Sequence, residues 1–143
     1  MGDSCYFKMT VLKEDVKQIN EIMFGDDSDG CWAEVDDNND GTVTLIDYDA
    51  NYGYHDQREK LAEAGIIFEG FHGPGGEYGE CHFACYDGSH IAVSSVEGGP
   101  VVSVSRSGAN EEALKCVHKY YATLDSVEKH FKDNSVSQGG KKQ

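Results

Sequence analysis

The sequence predicts an α+β domain with a mainly antiparallel sheet. Three observations carry that reading: apolar alternation of period two, amphipathic stretches of helical period towards both ends, and turn chemistry between the later apolar runs. With 143 residues, 38% hydrophobic content, six Phe, eight Tyr and Trp32, the chain is sized for one ordinary core. Its acids are interleaved with aromatics, unlike those of acidic disordered segments.

Residues 5–12 alternate, with Cys5, Phe7, Met9 and Val11 on one face and Lys8 and Thr10 on the other, which predicts a strand. Helical spacing through Val16, Ile19, Ile22 and Met23 predicts a helix over 14–24, stopped by Gly25. An Asp-rich loop follows. Residues 31–35 and 42–48 read as strands around a turn at 36–41, and 55–64 as a short helix closed by Gly65. A dense β-branched and aromatic strand is expected at 66–71. A glycine-rich loop at 72–79 then leads to strands at 80–86, 90–96 and 101–105, joined by Asp87-Gly88 and Gly98-Gly99-Pro100 turns. The longest helix is expected at 110–132, where Ala113, Val117, Tyr120, Leu124, Val127 and Phe131 form one stripe behind the cap Asn110. Residues 133–143 are polar and read as a disordered tail, leaving 1–132 as one acidic domain. The first six elements, β-α-β-β-α-β, match the split βαβ order of ferredoxin-like domains, and the rest extend the sheet.

Charge is the most informative feature for function. Residues 18–105 hold 18 acids and 2 bases, so the middle of the chain accounts for the whole net charge of −14. A small domain with that imbalance presents a strong negative potential, which points to basic protein surfaces or cations. Direct nucleic-acid binding is not expected, because phosphates need a basic patch. No apolar window approaches the roughly 18 residues of a membrane span. Five cysteines without a secretory h-region predict reduced thiols and a cytoplasmic protein.

Three constellations bear on chemistry. The run Asp36-Asp37-Asn38-Asn39-Asp40-Gly41 through Asp47 puts Asp36, Asn38, Asp40 and Asp47 at calcium-loop positions 1, 3, 5 and 12. Its flanks have strand composition, however, so a hairpin with an Asx-rich turn competes with calcium binding. The hairpin is the favoured reading and no cofactor is expected, with calcium at this loop as the alternative and zinc disfavoured. His72, Cys81, His82, Cys85 and His90 form a second cluster, whose spacing fits no standard zinc knuckle and whose thiol–imidazole pairs would suit a small enzyme. Third, aromatics stand among the acids of the longest base-free stretch: Trp32, Tyr48, Tyr52 and Tyr54 with Asp26, Asp27, Asp29, Asp36, Asp37, Asp40, Asp47 and Asp49. Tyr and Trp anchor interfaces, and acids steer a basic partner. The leading expectation is therefore a small acidic inhibitor that occupies a basic, nucleic-acid-binding surface of a partner protein. Immunity and anti-defence inhibitors share that charge and size. Nothing in the chain names a reaction.

Overall fold

The computed structural model describes residues 4–25, 32–76 and 78–141, with side chains described through Asn134. β1 (Ser4–Leu12) is followed by a 3-10 turn and α1 (Val16–Phe24). The hairpin of β2 (Glu34–Asp37) and β3 (Thr42–Asn51) leads through a second 3-10 turn into α2 (His55–Glu63) and β4 (Phe68–His72). β5 (Cys81–Tyr86), β6 (Ser89–Val96) and β7 (Gly99–Pro100) follow as a meander. A small hairpin of β8 (Val104–Ser105) and β9 (Gly108–Ala109) precedes α3 (Glu111–Lys141). Among these residues no helix is long and apolar enough to cross a membrane.

Seven strands form one sheet in the order β2-β3-β1-β4-β5-β6-β7, every neighbouring pair antiparallel. The first four stand as β2-β3-β1-β4, the split βαβ arrangement expected from the element order. β1 lies at its centre because its alternation supplies one fully apolar face. Phe7, Met9 and Val11 are wholly buried there with Leu45, Phe68 and Phe83, under Ile19 and Met23 of α1 and Leu61 of α2. Each such phenylalanine contributes about 1.5–3 kcal/mol relative to exposure.

α3 covers part of the opposite face. Its expected stripe is the one that packs: Val117, Tyr120, Val127 and Phe131 close on Leu12, Ala84 and Val93, with Leu124 alongside. Asn110 caps the helix through its Oδ1, which accepts from the backbone N–H of Ala113 at 3.2 Å. The sheet is thus sandwiched between α1/α2 and α3. α3 lies chiefly over β5 and β6, touches β4 and reaches Leu12 at the end of β1, so it covers the β2-β3 side of that face least.

Boundaries differ from the sequence reading at several elements. β2 begins at Glu34 rather than residue 31, and Asp36 and Asp37 pair with Thr44 and Val43, which shortens the turn to 38–41. Ladder pairing outweighs the low strand propensity of aspartate here. β4 starts at Phe68, since the backbone N–H of Ile66 still bonds Leu61 at the end of α2. The strand expected at 101–105 does not join the sheet: Gly99–Pro100 forms the edge pairing with β6, and Val104–Ser105 belongs to the separate hairpin. Proline suits that edge because it has no N–H to pair. Finally, α3 runs past Lys132 to Lys141.

Candidate functional site

The β2–β3 hairpin builds the acidic site from the ladder upward. Register pairs Glu34 with Ile46 and Asp36 with Thr44, so both acids share the face of Tyr48, the one α3 only partly covers. All four β2 residues are exposed. Turn chemistry uses several of the other acids. Asp37 Oδ1 accepts the Asn39 N–H at 2.8 Å while its Oδ2 pairs with Lys13 at 2.9 Å. Asp40 Oδ1 accepts the Thr42 N–H at 3.0 Å, and Asn38 donates to Thr42 and Thr44. Asp47 stands at the far end of β3, paired with Phe7, and accepts the Tyr54 hydroxyl and the Asp49 N–H. The four oxygens proposed for calcium therefore do not converge: Asn38 and Asp40 meet in a hairpin turn, and Asp47 is engaged elsewhere. Among the described residues no group of three or more His, Cys, Asp or Glu is placed to hold a metal.

The aromatic residues divide by face. Trp32 turns inward, stacking on Phe7 at 5.9 Å and donating its indole N–H to Asn20 Oδ1 at 2.8 Å. Tyr54 is buried against Phe7 and Phe24. Both serve the core. Tyr48 and Tyr52 face outward, 59% and 45% exposed. Tyr48 donates its hydroxyl to Glu34, a bond that raises its pKa, and stands 5.7 Å from Tyr6 of β1. Tyr6 in turn lies 6.0 Å from Phe71 of β4, which meets His82 of β5 at 5.1 Å. A row of rings thus crosses β3, β1, β4 and β5 on one face. Asp26, Asp27 and Asp29 lie outside the described residues.

Beside this row a groove follows α3. One cavity of about 380 Å3 is lined by Thr10, Asp40, Glu69, Glu128 and Lys132 among others. Another of about 310 Å3 shares Glu69 and continues past Lys8, Phe71, Glu80 and His82. Burial, and then the neighbouring Glu128, raise the Glu69 pKa, against the opposing pull of Lys8. The acids lining these cavities come from the hairpin turn, β4, the approach to β5 and α3, and they stand beside Lys8 and Lys132.

Of the His72–His90 cluster, His72 and Cys85 are buried, and Cys81, His82 and His90 are half-buried. His72 and Cys81 are direct cross-strand partners on the face of α1 and α2, with Cys85 further along it, whereas His82 points to the α3 side. Burial raises the Cys81 thiol and pushes Cys85 up to about 11, so neither is an activated nucleophile. His82 Nδ1 lies 2.9 Å from Ser95 Oγ, which donates onward to Glu80 at 2.7 Å. The serine proton therefore points at the carboxylate and away from the histidine, the reverse of what a nucleophilic serine needs. His90 sits between Arg58 Nη1 at 2.9 Å and Glu59 Oε1 at 3.0 Å. Arginine only donates, so His90 Nε2 accepts and its Nδ1–H donates to Glu59, a neutral ring. Arg58, 2% exposed, also donates to the Gly53 carbonyl and lies 4.2 Å over Phe83.

The sequence reading missed Tyr6, Glu34, Phe71 and Glu69. Tyr6 carried a signal: an aromatic on the otherwise polar face of an alternating strand. Comparison with protein-family models, with curated proteins and with solved structures finds no match to this chain.

Proposed function

We propose that this chain is a small acidic protein that docks on a basic surface of a partner protein and occupies a site otherwise taken by nucleic acid. The observation that carries this reading is the β2–β3 hairpin. Glu34, Asp36 and Asp49 are exposed there, and among the described residues none of the three makes an ion pair. Carboxylates left unpaired on a firm ladder form a preorganised negative surface, and a groove lined with Lys and Arg is its complement. Free thiols at Cys5, Cys81, Cys85 and Cys116 suit a reducing compartment, in keeping with the cytoplasm.

The test is capture of a partner from lysate at low salt, with elution by rising salt. The expected product is a basic nucleic-acid-binding protein whose binding to nucleic acid is lost when this chain is added. The combined variant Glu34→Gln, Asp36→Asn and Asp49→Asn should fold and melt no lower than the parent chain yet capture nothing. Asp37 and Asp47 are left intact because they bond Lys13 and Tyr54. Undiminished capture by that variant refutes the hairpin as the contact.

A further inference from the structure

We propose that the rings of Tyr48, Tyr6 and Phe71 form a subsite for arginine side chains on an extended basic segment of the partner. This rests on the basic-partner reading above and adds the chemistry of the contact. The rings belong to three adjacent strands, and their centroids follow one another at 5.7 and 6.0 Å. Side chains on one face of an extended peptide recur every ~6.6 Å, so a segment laid across the strands presents alternate residues to successive rings. A guanidinium within about 6 Å of a tyrosine face is attracted by the ring quadrupole.

Two carboxylates border the row. Glu34 accepts the Tyr48 hydroxyl, and Asp36 stands two residues on along the same face of the edge strand. A guanidinium stacked on Tyr48 therefore has a carboxylate at hand for its fork of donors, a geometry that lysine cannot reproduce. Lys8 is the cross-strand partner of Phe71 and is attracted to Glu69, so the cation stands at the Phe71 end of the row and the carboxylates at the Tyr48 end, where an arginine is held best. Single-stranded nucleic acid stacks on such rings too, but its phosphates would run into Glu34 and Asp36, so charge favours the basic peptide.

The test measures fluorescence anisotropy at low salt with three labelled probes: an alternating arginine–glycine peptide, its lysine–glycine counterpart and oligothymidylate. The arginine peptide should bind about tenfold more tightly than the lysine peptide. Tyr48→Leu should abolish that preference, Tyr48→Phe should keep it, and Glu34→Gln with Asp36→Asn should weaken both peptides. Equal binding of the two peptides, or a preference that survives Tyr48→Leu, overturns the arginine subsite and leaves the basic-partner reading standing. If neither peptide binds, the arginine subsite falls, and the capture experiment decides the basic-partner reading separately. Oligothymidylate that binds and displaces the arginine peptide overturns the proposal in favour of a nucleic-acid ligand.

Discussion

At Gly53 the chain turns through three consecutive left-handed residues, with φ of 53° at Tyr52, 60° at Gly53 and 56° at Tyr54. The two tyrosines cost about 1–2 kcal/mol each in that conformation, offset by the burial of Tyr54, its bond to Asp47 and the Arg58 bond to the Gly53 carbonyl. A Cβ at Gly53 would run into the His72 ring. Gly53→Ala should therefore lower the melting temperature sharply. Arg58→Met should cost about 1–3 kcal/mol for each of the two acceptors it leaves bare, at Gly53 and His90, as measured by denaturant unfolding. Burial depresses the pKa of His72, His82 and His90 below 6.5. A histidine depressed in the folded state binds fewer protons than when unfolded, so its contribution is complete above about 6.5 and is lost as pH falls below it. Thermal melts should show stability dropping from about pH 7 to about pH 5, with a smaller drop in His90→Gln. Asp15 and Glu69, raised by burial, act oppositely and at lower pH, since folding takes up protons there.

Elements were most legible where one periodicity had a single consistent reading. The β1 alternation and the α3 stripe both placed the buried residues correctly because each element meets its partner along one face. Tyr120→Ala, on that stripe, should cost about 3 kcal/mol, whereas Leu114→Ala on the outer side should change stability by less than about 0.5 kcal/mol. Chemical denaturation of both variants checks the stripe directly. Legibility failed where local chemistry and pairing disagree. Asp36 and Asp37 read as turn residues, yet the ladder with β3 holds them in a strand. Val101 through Ser105 read as a strand by β-branching, yet the sheet ends at Gly99–Pro100.

On the scale of the whole molecule, a net charge of −14 implies self-repulsion in the folded state. Added monovalent salt should raise the melting temperature by screening it, within a Debye length of about 8 Å at physiological ionic strength. The same salt should weaken partner binding. Opposite responses of stability and affinity to one titration are the expected signature of an acidic docking face. A fall in melting temperature with salt would instead mean that attractive pairs dominate. The three lysine–carboxylate pairs among the described residues are exposed and of small worth, which argues for repulsion.

The sequence by itself determined the fold class, the element order, the inward faces of β1 and α3 and the size of the charge imbalance, because periodicity and composition are local properties. Only the tertiary structure decided which acids are spent on turns and which stand free. It also sent Trp32 and Tyr54 inward and Tyr48 outward, and aligned Tyr48, Tyr6 and Phe71 into one row. Those outcomes depend on strand order and register. These bring together residues 42 and 65 positions apart in the chain, a juxtaposition that no local pattern encodes.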